Sequence, residues 1–336
     1  MAYIGVTASS TGLCMAGGSK DLNNSLERLL RALPASSRVL ILIHGYRYHP
    51  DSFDRNPHHW LYSRREDLGC QRARSWPLGL GYETDESQDG LCIGFGWPAL
   101  EPHLPAMRQT GKTGFSLVYG QALNAGAQLA ELMKHIQVSR PDLSIDILAH
   151  SLGARVALSA LPSLKRVSGR LILLGAAEYQ SNARGFLAAS PQDGALEVYN
   201  ITARFNDLYD AFFAALAPRP RRRERTLGLG LGTDHANWID LQLDRDEFAR
   251  WLGDRGIALE PIRARFCHWG FYTQAGVFAL YRSILARDPG WDVATLKSIP
   301  GLSDQDPQWS RLAGWSTRAI LRRACRRPGG PNLKSA

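Results

Sequence analysis

No apolar run in this chain approaches the ~20 residues needed to cross a bilayer, so no membrane-spanning helix is expected. Cysteine is scarce: Cys14, Cys70, Cys92, Cys267 and Cys325 are an odd number, with neither paired nor metal-ligand spacing. That argues against a disulfide framework or a zinc site and suits a reducing compartment. The opening residues lack both a basic stretch and a continuous apolar stretch of the kind a secretory leader carries, so a cytoplasmic location is expected. Acidic residues are missing from Arg311 to Ala336, which holds seven basic ones, and Arg219 to Arg225 sets five arginines against one glutamate. These two segments exceed the whole formal charge of +9, which leaves the rest of the chain slightly acidic. A basicity confined to one loop and one tail gives no footprint for nucleic acid, and none is expected as a partner. Weak contact with anionic surfaces is the most it implies.

What is present reads as alternating buried strands and amphipathic helices. "RVLILIHGY" holds an apolar run at 39–43, "LCIGFGWP" a second at 91–98, and "LSIDILA", "GRLILLGAA" and "ALEVYNITA" three more, with "NWIDLQLD" (237–244) a sixth. Between them, residues 22–33, 114–138 and 273–287 space their apolar side chains at helical intervals. Runs this apolar belong to strands covered on both faces, hence to a mainly parallel sheet. Residues 46–90 are polar and aperiodic, and a segment of that length between buried strands is expected to serve as a lid-like insertion over a site. Two glycine-rich lures fail on context. Gly111-Lys112-Thr113 lacks a leading strand and the upstream glycine, and "LGLGLG" (227–232) follows an arginine cluster, residues 218–232 being expected to form a mobile surface loop.

The chemistry concentrates in "IDILAHSLGARVAL". A serine on a sharp strand-to-helix turn is a nucleophile elbow. It needs small residues two places before and after, here Ala149 and Gly153 around Ser151. The turn aims the first helical N–H, that of Leu152, at an oxyanion above the serine. In "ILIHGY" a glycine lets the backbone approach the same point, and the N–H of Tyr46 is the expected second donor. His44 is expected to order that loop and not to move protons, and the His150 side chain to point away from the serine's. "HPDSFDRNPHHW" gathers His49, Asp51, Asp54, His58 and His59, but their spacing matches no familiar metal set.

Together "LIHGY", "FGWPA" and "LAHSLGARVAL" resemble the α/β-hydrolase fold and, more narrowly, the bacterial α/β hydrolases of the DUF900 type, over about residues 37–288. The resemblance implies an α/β fold with a mainly parallel central sheet and helices on both faces. It places an α/β-hydrolase domain at 1–310 (core 37–288, lid-like insertion 46–90) ahead of a basic tail, 311–336. It also implies the order serine, acid, histidine. Asp207, in an Asn-Asp-Leu context, takes the acid's place, with Asp210 and Glu178 as rivals. His268 takes the base's place, with His235 as rival, and the adjacent Cys267 is not expected to act as a nucleophile. The expected activity is hydrolysis of a carboxylic ester through Ser151, His268 and Asp207, with no cofactor. A thioesterase or amidase using the same residues, and a catalytically silent binding module, are the alternatives.

Overall fold

The computed structural model describes residues 2–18, 21–66, 68, 73–82, 90–101, 114–192, 195–232 and 235–302. Its centre is strand β3 (Arg38–Ile43), in which Val39 to Ile43 are all essentially inaccessible. Each such side chain contributes about 1.5–3 kcal/mol by leaving water, and the run has no polar face to give to solvent. It is therefore covered twice. Val39, Ile41 and Ile43 point into one core and Leu40 and Leu42 into another, the period-two alternation of a strand.

Among the described residues eight strands form one sheet in the order β2-β1-β4-β3-β5-β6-β7-β8. They are β1 (Ala2–Ser9), β2 (Gly12–Met15), β3, β4 (Gly90–Gly96), β5 (Ser144–His150), β6 (Gly169–Leu174), β7 (Leu196–Thr202) and β8 (Trp238–Gln242). All pairings are parallel except β1 with the edge strand β2. On the face of Val39, α1 (Leu22–Ala32) buries Leu22, Leu26 and Leu30. Beside it lie α3 (Gly114–Ser139), α4 (Gly153–Ala160) and α5 (Gln180–Ala189). The face of Leu40 takes the short α2 (Trp76–Gly79), α7 (Asp246–Gly253), α8 (Gly270–Thr273), α9 (Val277–Ala286) and α10 (Val293–Ser298). Helix α6 (Asp207–Leu216) follows β7 at the carboxyl end of the sheet.

The structure departs from the sequence reading in three places. The first strands form a hairpin that the six expected strands do not include, and Ile4, Val6 and Ala8 bury at alternate positions to make it. The described part of the insertion is rooted in the core: Leu61, Tyr62 and Trp76 are inaccessible. The Tyr62 hydroxyl accepts from His44 N (2.7 Å) and donates to Phe95 O (3.1 Å), bridging the ends of β3 and β4. Finally, the glycine-leucine half of the expected mobile loop is pinned. Leu227 and Leu231 are buried, Leu227 N donates to Glu178 O, and Asp240 accepts from Leu231 N (2.9 Å) and Gly232 N (3.3 Å). The tail 311–336, the Gly111–Thr113 stretch, Cys70 and Cys325 lie outside the described residues.

Candidate active site

Strand β5 ends at His150 and α4 begins at Gly153, so Ser151 occupies the turn, with φ of 54°. A non-glycine residue in the left-handed region costs roughly 1–2 kcal/mol, and here the surroundings hold it there. Ser151 N donates to Leu174 O (2.9 Å), while its carbonyl accepts from Ala154 N (3.1 Å) and Ala177 N (3.0 Å). A Cβ at Gly153 would lie 2.7 Å from the carbonyl oxygens of both Ile43 and His44, so the position two places after the serine admits only glycine. Behind the turn, α4 sits close on α3. A Cβ on Gly126 would collide with Ser159 Oγ, and Arg155 pairs with the inaccessible Glu178 at 2.5 Å while donating to the Tyr119 hydroxyl at 2.8 Å. Glu178, a rival for the acid, also accepts from Tyr119, Asn182 and its neighbour's amide. Its lone pairs are thus committed to holding α3, α4 and α5 together.

The loop after β3 passes directly over the serine. A Cβ on Gly45 would come within 2.7 Å of Ser151 Cβ, so only a bare backbone fits. Arg47 is also left-handed, at φ 75°. The "FGWPA" stretch clamps this loop: Trp97 N donates to His44 Nε2 (3.0 Å), and the Trp97 indole donates to His44 O (2.9 Å). Arg47 N donates to Ala99 O (2.7 Å) and Ala99 N to Tyr48 O (2.9 Å). Since Nε2 of His44 accepts, its Nδ1 carries the proton and donates to Gly45 O (2.8 Å). Burial lowers His44 to about 3, so the ring is a neutral structural pin. Among the described residues the backbone N–H groups of Tyr46 and Leu152 donate to no protein acceptor.

His268 reaches the site from the loop before α8, fixed by Cys267 N donating to Phe205 O (2.9 Å). Its ring lies between Tyr209, stacked at 4.7 Å, and His150 at 4.5 Å. Burial, with His150 as a lesser cause, holds it well below the usual histidine range and therefore neutral. Its Nδ1 donates to Oδ1 of Asn206 (2.7 Å), and Asn206 Nδ2 donates to Asp210 Oδ1 (3.2 Å). That second bond decides the amide's orientation, turning its oxygen toward the imidazole. Burial and the neighbouring Asp207 push the Asp210 carboxyl well above the usual range.

The sequence reading places Asp207 against the base, whereas the residue bonded to His268 Nδ1 is its predecessor. The short 3-10 turn Arg204–Asn206 faces Asn206 to the ring, and Asp207 is buried as the first residue of α6. Sequence reasoning weighed only carboxylates and so passed over Asn206. Its place in the Asn-Asp pair was the available signal. His235 precedes β8, at the opposite end of the strands from Ser151, where its carbonyl accepts from Lys297 Nζ. The His150 side chain runs to the loop that carries His268, and its Nε2 donates to His268 O (3.1 Å). Of the possible metal cluster, His58 is drawn into a slot over Gly5 and Gly96 and bonds Thr7 Oγ1 at 3.1 Å.

Ser151, His268, Asn206 and Asp210 line one open cavity of about 690 Å³. Its walls are aromatic, with Phe115, Tyr209 and Phe213 from the helices and Trp60 from the insertion, and Arg47, Arg55 and Asp54 stand among them. Asp207 is not on its wall. A search among curated proteins finds no match. Residues 20–173, which hold the loop after β3, the Trp-Pro stretch and the serine turn, match the model of a family described as alpha/beta hydrolase of unknown function (DUF900). By its sheet and by this match the chain has the alpha/beta-hydrolase fold, and it resembles the DUF900 family over that span.

Proposed function

We propose that the protein is a serine hydrolase that cleaves a carboxylic ester through an acyl-enzyme. The observation that carries this reading is Ser151 held left-handed at the tip of β5, in one aromatic cavity with a neutral, hydrogen-bonded His268. Ser151 Oγ attacks the substrate carbonyl and His268 Nε2 takes its proton. The Asn206 amide oxygen holds the ring by Nδ1–H, the role expected of Asp207. The N–H groups of Tyr46 and Leu152 receive the charge that develops on the carbonyl oxygen. His268 then returns the proton to the leaving alcohol, and water releases the acyl group by the reverse sequence. Nothing in the cavity selects an alcohol over a thiol or amine as leaving group. The aromatic walls favour an apolar acyl chain.

A fluorophosphonate probe tests this directly. The full chain should be labelled on the peptide containing Ser151. Ser151→Ala should lose both labelling and turnover of a short p-nitrophenyl ester while keeping its unfolding midpoint. An unlabelled wild type, or an active Ser151→Ala, overturns the reading.

A further inference from the structure

We propose that the rim of this cavity docks on a bilayer bearing anionic headgroups. Two exposed large hydrophobic side chains among the described residues belong to the segments that line this cavity. Phe53 is 90% exposed and immediately precedes Asp54 and Arg55 of the cavity wall, and Leu216, 47% exposed, lines the cavity itself. Leu216 ends α6, and the arginine loop starts beside it. Arg219 folds back to donate from Nε (2.9 Å) and Nη2 (2.7 Å) to Ala214 O, which keeps the head of the loop at that helix end. Arg221, Arg222, Arg223 and Arg225 follow, all exposed and none in an ion pair among the described residues. The loop's one acid, Glu224, is engaged by Ser181 N (3.1 Å) and Oγ (2.7 Å). Arg47 and Arg55 add two more cations at the cavity, against Asp54.

Exposed apolar side chains on two of the segments that line an apolar cavity, with uncompensated arginines beside one of them, fit a lipid–water interface, where side chains enter the acyl boundary and cations meet phosphate. A nucleic acid would match the arginines but would leave the apolar tips and the aromatic cavity without a counterpart. No helix among the described residues is long and apolar enough to cross a membrane, and the contact proposed is a peripheral one. If the serine hydrolase reading holds, its substrate is an ester drawn from the bilayer.

The test is co-sedimentation of the full chain with vesicles of phosphatidylcholine alone or mixed with phosphatidylglycerol, at low and high salt. Partition onto the mixed vesicles should exceed that onto the neutral ones and fall as salt rises. Arg221→Gln, Arg222→Gln and Arg223→Gln together should lower it about 10²-fold, each cation near an anionic surface being worth about fivefold. Phe53→Ser should lower it severalfold, and both variants should keep wild-type turnover of a soluble ester. Ser151→Ala should bind like wild type, so docking can stand where the hydrolase reading fails. Three results overturn the proposal: no preference for anionic vesicles, partition untouched by both variants (which moves the contact to the tail 311–336), or retention on double-stranded DNA without vesicle binding.

Discussion

At the scale of single residues, the bond from His268 to Asn206 is the feature with most consequence. A neutral amide can fix a ring tautomer as a carboxylate does, but it brings no full charge to stabilise the imidazolium. Asn206→Ala should therefore lower kcat by at least about 10²-fold with little change in KM, as the ring loses its orientation. Asn206→Asp places a charge 2.7 Å from the imidazole and should move the acid limb of the kcat/KM profile to higher pH, because an opposite charge favours the protonated ring. If instead Asp207→Asn costs the ~10⁴-fold typical of a neutralised triad acid and Asn206→Ala costs nothing, the acid is Asp207. The serine's strand-to-helix turn was legible in the sequence because strand, small residues and helix are local features. The partner of His268 was not. Which side chain of an Asn-Asp pair faces a ring 62 residues away is set by one 3-10 turn, and no local pattern records that rotation.

At the scale of elements, the Trp-Pro stretch after β4 acquires a physical role. Its indole and amide hold both the carbonyl and the ring of His44, and Ala99 pairs with the two residues after Tyr46. This clamp holds the chain on both sides of Tyr46. Trp97→Phe removes the indole N–H and part of the ring's volume at a fully buried position, leaving His44 O without its donor at a cost of about 1–3 kcal/mol and adding the cost of the void left behind. The variant should show a lower urea midpoint together with a reduced kcat. A reduced midpoint with unchanged kcat would mean that the clamp supports the fold without positioning the loop. The same elements show why strands were read more securely than connections. Runs such as Val39–Ile43 fix their own conformation by having no polar face. The first hairpin alternates Ile4, Val6 and Ala8 with polar or small residues, a weaker signal. The pinned glycine-leucine turn owes its order to Asp240 and Glu178, which are distant in sequence.

At the scale of the molecule, charge and protonation set how the fold answers to pH. Four histidines are held neutral by burial: His44 is lowered to about 3, His58 and His150 to about 4, and His268 well below the usual range. A histidine whose folded pKa lies below its unfolded value of about 6.5 contributes stability that is whole above pH 6.5. That stability is lost as pH falls toward the folded pKa, because the unfolded chain takes the proton first. For His150, 4% exposed, the loss by pH 5 is about 2 kcal/mol. Asp210 and Asp240, raised by burial, run the other way, since the native state binds their protons first. The total slope therefore mixes opposing contributions, and a difference between two proteins isolates one of them. His150→Gln keeps an Nε2 donor for His268 O and removes the titration. Urea unfolding of wild type and variant at pH 7.5 and 5.0 should show the wild type losing about 2 kcal/mol more than the variant across that interval. Equal losses would mean that His150 titrates normally in the folded protein, and so that water reaches the inner face of His268.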